Sequence, residues 1–388
     1  MMKILYFQHS IQYDGSTNAL LNYLNVIKKN NCVKVIVARK SIRLDELEEM
    51  GIDYMIVPFR FSSYRTFNLW YKNLLLSPLF FIFTEFLNFY AILRLMPIIR
   101  SFKPDIIHSN VGPLRIGYYL ARLFNIKHVW HLREFQGCPY TTYPIPTLSV
   151  YKHLLRKSSS IAISNCISKY YNVDSTNSTV IYDGVFDAKN ELEQPSFLSR
   201  GNRILFVGRV EPAKGVEDLI NAFISISNDY PDLTLDLLGN CDNSYRNFLN
   251  EKYIRPYNLE KRILFHGASR EVDLWMRKAK VTVVSSLLEG FGFVVAESMY
   301  NYCIVIGNDN TGIKEQFDRC DECCNRPITR RYTTVEELKS QLYIVLDMPS
   351  LEYDEEAMEL HKCVVNLYDK KRYANNIQDF YTSVVQHY

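Results

Sequence analysis

Two carboxylates, Glu289 and Glu297, stand eight positions apart and enclose a short glycine and phenylalanine segment, residues 290–293. The apolar run at 281–286 predicts a buried strand before them, and a helix is predicted from Val294 onward. A turn between a strand and a helix offers unpaired backbone N–H groups and the positive end of the helix dipole, which suits a phosphate. The carboxylates repel such an anion, but they can accept hydrogen bonds from the hydroxyls of a sugar and a ribose. The pattern therefore predicts a sugar-nucleotide site.

Two further loops follow predicted strands and are expected at the same edge of the same sheet. Residues 208–215 place Arg209 and Lys214 between a strand and a helix, an arrangement that holds a diphosphate. The spacing is not that of a Walker P-loop. Thr311 and Gly312 belong to the loop after the last strand of this series. Cations, glycines and carboxylates are thus predicted on one rim.

The elements that carry these loops form two series of alternating strands and helices. Apolar runs of four to six residues separated by amphipathic stretches are typical of α/β proteins with doubly wound parallel sheets. Ligand sites in such domains lie at the carboxyl ends of the strands, here facing a shared cleft. The predicted strands are 3–8, 34–38, 54–57, 105–108, 128–131, 160–164, 179–181, 203–207, 234–238, 263–266, 281–285 and 303–306.

A polar segment at residues 187–202 interrupts the alternation and contains a proline and a glycine, so it predicts a linker. We expect a first domain at 1–190 that binds the acceptor and a second at 197–370 that binds the nucleotide sugar. The last helix, at about 371–388, is expected to pack back on the first domain.

The second domain carries a series of short motifs along its whole length. They are Ile204-Leu-Phe-Val-Gly-Arg209, Lys214-Gly215, Leu238-Gly239, Phe265-His-Gly267, Glu289-Gly-Phe-Gly-Phe293, Ala296-Glu297 and Thr311-Gly312. In this order they closely resemble the group 1 glycosyltransferases, the large retaining family 4 with the GT-B fold of two Rossmann-like domains. The carboxylate pair and the basic loop are specific when found together.

The resemblance implies a role for each matching residue. Glu289 would contact the donor sugar and Glu297 the nucleotide ribose, while Arg209 and Lys214 would neutralise the diphosphate leaving group. We expect no cofactor beyond the donor, and no metal, because the sequence has no Asp-x-Asp triplet. Further donor contacts would come from Thr311 and Gly312 and from the backbone N–H groups of Gly290, Phe291, Gly292 and Phe293.

The first domain resembles the family more weakly. Gly15 follows the first strand, where the family has a glycine loop that approaches the donor, although the usual paired glycines are missing. His131 ends a predicted strand, where the family often has a histidine near the transferred sugar. It would hydrogen-bond a sugar hydroxyl or the acceptor, and the alternative is a structural histidine. Arg133 and Glu134 are candidate acceptor contacts. Asp183 stands where the family usually has Asn, and we assign it no role.

Composition predicts where the protein works. Nine scattered cysteines and the lack of a signal peptide predict a cytoplasmic protein, and the cluster at 320–324 lacks the second cysteine pair of a zinc site. Residues 1–195 hold 22 Lys and Arg against 14 Asp and Glu, whereas residues 196–388 hold 23 against 28. A basic first half fits an anionic membrane face or a phosphorylated acceptor, and the alternative is a solvated surface. A nucleic-acid partner is not expected.

An apolar stretch at residues 74–83 is interrupted by Pro78 and followed by Glu85. We expect it to be too short to span a bilayer. It predicts either an interfacial helix, which would give peripheral membrane contact, or a core helix covering the sheet. The aromatic anchors of an interfacial helix would be Trp70, Tyr71, Phe80, Phe81 and Phe83.

The sequence therefore predicts a metal-independent hexosyltransferase that moves a sugar from a nucleotide-diphospho sugar to an acceptor hydroxyl. The resemblance implies retention of configuration and a role in polysaccharide or surface-glycan biosynthesis. One alternative is a phosphorylase or sugar-nucleotide epimerase on the same fold. Another is a non-catalytic nucleotide-sugar-binding protein, against which the intact set of charged motif residues argues. The two carboxylates divide the ligand between them, which excludes an ordinary two-carboxylate glycosidase.

Overall fold

The computed structural model describes residues 1–12, 14–65, 70–139, 141–173, 176–187 and 192–386. The chain divides into two compact units. The first unit consists of Met1–Val185 and Lys370–Tyr388, and the second of Phe186–Asp369. The segment predicted as a linker lies within the second unit, and its residues 188–191 are outside the described residues.

The first unit alternates strands and helices and ends with the last helix of the chain. Its elements are β1 (Lys3–Gln8), α1 (Gly15–Ile27), β2 (Cys32–Val37), α2 (Leu44–Glu49), β3 (Asp53–Ile56), β4 (Ser63–Arg65), α3 (Trp70–Phe102), β5 (Ile106–Ser109), α4 (Arg115–Phe124), β6 (Lys127–Leu132), β7 (Thr142–Pro144), α5 (Leu148–Leu155), β8 (Ser159–Ala162), α6 (Asn165–Tyr171), β9 (Ser178–Val180) and α14 (Lys370–Gln386). Seven strands form a parallel sheet in the order β3-β2-β1-β5-β6-β8-β9, and β4 pairs with β7 in an antiparallel ribbon.

Both faces of this sheet are covered by helices. On one face Ile377 and Tyr381 of α14 belong to the same buried cluster as Ile4 of β1. On the other face Leu95 of α3 packs in a cluster with Phe7 of β1. Strands enclosed on both faces are apolar along their whole length, which is why continuous apolar runs in the sequence located them.

The second unit repeats this plan. Its elements are β10 (Arg203–Val207), α7 (Val216–Ile226), β11 (Thr234–Leu238), α8 (Asn243–Leu249), β12 (Ile263–Gly267), α9 (Val272–Lys278), β13 (Val281–Val284), α10 (Phe293–Tyr300), β14 (Ile304–Asn308), α11 (Thr311–Cys324), β15 (Arg330–Tyr332), α12 (Val335–Leu346) and α13 (Ser350–Leu367). The strands form a parallel sheet in the order β12-β11-β10-β13-β14-β15. The predicted α/β class with two doubly wound sheets is confirmed.

The strand order of the second unit brings three loops together. The chain adds β11 and β12 on one side of β10, then crosses over and adds β13 and β14 on the other side. The loops that leave β10, β13 and β14 therefore issue from neighbouring carboxyl ends. Such a reversal of strand order is where open α/β sheets bind their ligands.

The helix α3 corrects one expectation from the sequence. It runs for 33 residues and continues through both Pro78 and Pro97, whereas we expected a short apolar stretch at residues 74–83 that contains Pro78 and is followed by Glu85. Its portion Leu76–Phe102 is, in the described part of the chain, the one helix long and apolar enough to cross a membrane by length and composition.

Candidate functional site

The loop after β10 carries the two basic residues predicted to meet a diphosphate. Gly208 leaves the strand with φ 144°, and Gly215 begins α7 with φ 62°. A Cβ at Gly215 would stand 2.1 Å from the carbonyl oxygen of Ser285, so a glycine is needed where this loop meets the loop after β13. Lys214 is the last residue before that glycine, and the turn therefore presents its side chain at the carboxyl ends of β10 and β13.

Lys214 and Glu289 form the centre of the site. The ammonium Nζ lies 2.5 Å from Glu289 Oε1, and the two side chains are 23% and 21% exposed. Ser286 Oγ donates a second hydrogen bond to the same oxygen at 2.9 Å. In the described part of the chain, Glu289 Oε2 makes no hydrogen bond. An ammonium has three donors, so Lys214 can hold Glu289 and still face a ligand.

The loop after β14 closes against the same carboxylate segment. Thr311 Oγ1 accepts a hydrogen bond from the N–H of Glu289 at 3.1 Å, and the N–H of Gly312 donates to the Glu289 carbonyl at 3.0 Å. A Cβ at Gly312 would approach the carbonyl of Gly290 to 2.7 Å. Thr311 and Gly312 therefore support the backbone around Glu289 by direct contact.

In the segment between the two carboxylates, the backbone is the part that is positioned to meet a ligand. Gly292 has φ 86° and precedes α10 without any side-chain cap, which leaves N–H groups of the first helical turn unused by a cap. Gln316 Nε2 donates to the carbonyls of Phe291 and Gly292 and fixes the turn from behind. The ring of Phe291 is buried at 2% exposure and meets Phe293 edge to face. The side chain of Phe291 therefore does not face a ligand.

Glu297 lies one turn into α10, beside α9. Burial, together with the neighbouring carboxylate of Asp273, raises the pKa of Glu297 to about 7. Asn301 Nδ2 bridges this region, because it donates to Asp273 Oδ1 and to the Glu297 carbonyl, both at 3.0 Å. A carboxyl group with this pKa changes its charge near neutral pH, and only the ionised form is purely an acceptor for hydroxyls.

The structure brings some of the predicted residues together and separates others. Hydrogen bonds connect Lys214, Glu289, Thr311 and Gly312 within the second unit. The side chain of Arg209 is 69% exposed and pairs with Glu211 at 3.1 Å.

The residues predicted in the first half of the chain, Gly15, His131, Arg133 and Glu134, belong to the first unit. Arg133 is buried, so the acceptor contact expected of it is not available in this conformation. Gly15 is the first residue of α1, after an N-cap made by Asp14. The ring of His131 is fully buried. Its expected contact with the sugar or the acceptor is therefore not available in this conformation.

Sequence reasoning missed a buried polar network around His131. Arg133 makes a bidentate pair with Asp183, with Nη1 at 2.8 and 2.7 Å from the two carboxylate oxygens, and both side chains are buried. Arg133 Nη2 also donates to Tyr373 Oη of α14 at 3.1 Å. Burial and the charge of Arg133 hold the pKa of His131 well below its usual range, so the ring is neutral. The signal was Arg133 itself, since a cation at the end of a buried strand requires a counter-ion.

Comparison with known proteins relates the second unit to a protein family. Residues 187–353 match the family of glycosyl transferases group 1. An uncharacterized glycosyltransferase of Methanocaldococcus jannaschii is 25% identical over 337 residues, which cover 78% of this chain and 80% of that protein.

Solved structures agree on the fold. HepE of Anabaena in complex with UDP superposes with a TM-score of 0.77 at 18% identity, covering 98% of this chain and all of that chain. A lipopolysaccharide outer core galactosyltransferase gives a TM-score of 0.68 at 15% identity, covering 98% and 99% of the two chains. Residues 187–353 thus match the group 1 glycosyltransferases, and the chain has the GT-B fold of two doubly wound units.

Proposed function

We propose that this glycosyltransferase transfers a hexose from a nucleotide-diphospho sugar to an acceptor hydroxyl, with retention of configuration, in polysaccharide or surface-glycan biosynthesis. The observation that carries the proposal is the Lys214–Glu289 pair at the carboxyl ends of β10 and β13. It sets a cation for phosphate and a carboxylate for sugar hydroxyls next to the uncapped N-terminus of α10.

Lys214 would stabilise the departing nucleotide diphosphate. The leaving group gains negative charge as the glycosidic bond breaks, and Lys214 can donate to it while it still holds Glu289. Each charge-assisted hydrogen bond of this kind contributes about 1.5–3 kcal/mol. Arg209 is exposed on the same loop and would exchange Glu211 for a phosphate oxygen.

Glu289 would orient the sugar and would not act as a nucleophile. Its Oε1 is engaged by Lys214 and Ser286, which fixes the carboxylate plane and leaves Oε2 to accept from a sugar hydroxyl. With the sugar held in this way, the acceptor hydroxyl would attack from the face that the diphosphate leaves. Glu297 would accept from the ribose hydroxyls. Closure over the donor would exclude water.

The partners are proposed from the chemistry of related proteins. HepE is solved with UDP-glucose, and another neighbour is a galactosyltransferase of the lipopolysaccharide outer core. We infer a glycan or lipid-linked sugar acceptor, met in the cytoplasm at the inner face of a membrane. The basic first unit fits this setting, since it holds 24 Lys and Arg against 12 Asp and Glu.

The test begins with the nucleotide. Thermal unfolding is measured with UDP, GDP, ADP and CMP, and a ligand at a hundredfold excess over its Kd adds about 2.7 kcal/mol of stability. The nucleotide that stabilises the protein is then supplied as its hexose conjugates, and acceptor-dependent release of nucleotide is followed. The proposal is contradicted if no nucleotide stabilises the protein. Phosphate-dependent release of sugar phosphate without nucleotide would show a phosphorylase instead.

A further inference from the structure

Between residues 79 and 93 the helix α3 buries polar side chains and turns most of its large apolar side chains outward. Thr84 and Asn88 are 3% and 1% exposed, and Asn88 Oδ1 accepts a hydrogen bond from the N–H of Arg60 at 2.9 Å. Glu85, the one acidic residue of the helix, is only partly exposed. A surface helix in water has the opposite arrangement.

The outward face is a continuous apolar stripe. At about 100° per residue its members fall within an arc of roughly 120°. The largest exposures are those of Phe86 (67%), Ile82 (63%) and Leu79 (61%). We call this face the α3 stripe, and it consists of Leu79, Ile82, Phe83, Phe86, Phe89, Tyr90 and Leu93. So many large apolar side chains on one face mark a surface that is covered in the working protein.

The stripe lies along a surface and does not cross a bilayer. Near and beyond its end, Ala91, Leu95 and Ile99 are buried in the core cluster on the sheet of the first unit. The same helix therefore cannot leave the protein over its C-terminal part. From Leu79 to Leu93 the stripe is about 21 Å long at 1.5 Å per residue, which is shorter than the hydrocarbon core.

The charges around the stripe select its partner. Residues 54–104 contain a single acidic residue, Glu85, and six Lys and Arg, of which two have side chains outside the described part of the chain. Arg94 and Arg100 are exposed, and Arg94 directly follows the stripe. The guanidinium of Arg60 lies 5.1 Å from the ring of Phe83. Apolar side chains edged by cations match the interface of a bilayer with anionic headgroups. Two copies of this face would set like charges against each other.

We propose that the α3 stripe inserts its apolar side chains into the interface of a membrane that carries anionic lipid. Arg94 and Arg100 then contact the headgroup phosphates, and the first unit lies on the membrane without spanning it. This deepens the proposed acceptor and rests on that proposed function, because it supplies the surface at which a lipid-linked sugar is met. Of the aromatic anchors expected from the sequence, Phe83 belongs to the stripe. Phe80 and Phe81 are half-buried, and the side chains of Trp70 and Tyr71 are outside the described part.

Flotation with vesicles tests the proposal. The full chain is mixed with vesicles of phosphatidylcholine, with or without phosphatidylglycerol, and the bound fraction is measured. We expect binding to the vesicles that contain phosphatidylglycerol, and at least a tenfold loss of binding in the double variant Phe86→Ser/Phe89→Ser. The double variant Leu198→Ser/Leu351→Ser is the control, because it removes two side chains that are 85% and 70% exposed on the second unit. It should float like the wild type.

Two further measurements separate the outcomes. Arg94→Glu/Arg100→Glu should reduce binding to phosphatidylglycerol, and every variant should keep the nucleotide-induced thermal shift of the wild type. That shift reports folding and donor binding, so failure of the membrane proposal is distinguishable from failure of the proposed function. Wild type that does not float, or Phe86→Ser/Phe89→Ser that floats unchanged, would overturn the proposal. The proposal would also be overturned if light scattering showed a wild-type dimer that Phe86→Ser/Phe89→Ser dissociates, because the stripe would then be an interface between copies.

Discussion

In each unit of this glycosyltransferase a close ion pair lies just beyond the strands of the parallel sheet. In the first unit Arg133 and Asp183 are 5% and 0% exposed, and Tyr373 also contacts the arginine. In the second unit Lys214 and Glu289 are 23% and 21% exposed, and one carboxylate oxygen stays open. A buried ion pair whose two charges neutralise each other is out of reach of a ligand and can only stabilise the fold. A partly exposed pair can share its groups with a ligand.

The same contrast extends over the units as wholes. The second unit carries the family motifs, and it is acidic, with 21 Lys and Arg against 30 Asp and Glu. Cations on the loops at the carboxyl ends of its strands are therefore informative against this acidic background. The first unit is basic and has few motifs, and its distinctive features are a buried network and an apolar helix face. The proposed donor site is thus recognised by spacing in the sequence, whereas the proposed acceptor side is recognised by surfaces.

The largest effect is expected from breaking the enclosed pair. Asp183→Ala leaves the Arg133 guanidinium buried without its counter-ion, and we expect the free energy of unfolding to fall by about 3–5 kcal/mol. Urea denaturation followed by circular dichroism measures the change. Asp53→Ala is the matched control in the same unit, because the exposed Lys34–Asp53 pair at 3.6 Å should contribute about 0–1 kcal/mol. A loss below 1 kcal/mol for Asp183→Ala would show that the enclosed pair is not a structural requirement.

That pair also marks the limit of prediction from the sequence. The strand at Arg203–Val207 was predicted with its observed bounds, because a strand buried on both faces is apolar throughout. The rim residues were found because their loops follow such strands. Asp183 was assigned no role because it stands where the family usually has Asn. Its partner is 50 positions away, and nothing local indicates the pairing. The ribbon of β4 and β7 was missed for the same reason, since its short strands are far apart in the chain.

The helix α3 was misjudged for a different reason. Proline and a carboxylate usually interrupt an apolar helix, so Pro78 and Glu85 led us to expect only a short stretch at residues 74–83. Tertiary packing keeps the helix intact, because its later turns are buried in the core and the polar Asn88 is bonded to the Arg60 backbone. Packing of this kind is not visible in a single sequence, and the length of α3 therefore could not be predicted.

The next effect tests the open pair. Lys214→Ala removes the cation that would meet the leaving diphosphate, and we expect transfer to fall at least a hundredfold, about 2.7 kcal/mol of barrier. The fold should survive, because Lys214 is partly exposed. Lys252→Ala, an exposed lysine of the same unit, is the control and should transfer sugar at the wild-type rate. Wild-type turnover in Lys214→Ala would remove the diphosphate assignment and the contrast between the two pairs.

A smaller effect is expected from pH. Burial and Asp273 raise the pKa of Glu297 to about 7, so the ionised form that accepts ribose hydroxyls is lost as the pH falls below that value. We expect the KM for the donor to rise several-fold between pH 7 and pH 6, with a smaller change in kcat. Asp273→Asn removes the nearby negative charge and should move the inflection to lower pH. Glu297→Gln should flatten the profile. An unchanged inflection in Asp273→Asn would show that another group titrates.

The smallest expected effect is that of metal removal. This experiment tests which groups neutralise the negative charge of the leaving diphosphate. If Lys214, Arg209 and the backbone N–H groups at the start of α10 stabilise the diphosphate, no divalent cation is required between its oxygens. Turnover should then be the same within error before and after EDTA treatment, and added Mg²⁺ or Mn²⁺ should not raise it. The comparison is sharpest when Lys214→Ala is assayed in parallel. If Mg²⁺ restored the activity of that variant, a metal ion could replace the ammonium of Lys214. If the wild type lost activity in EDTA and recovered it on adding metal, the diphosphate would be neutralised by a bound metal ion and not by side chains of the second unit.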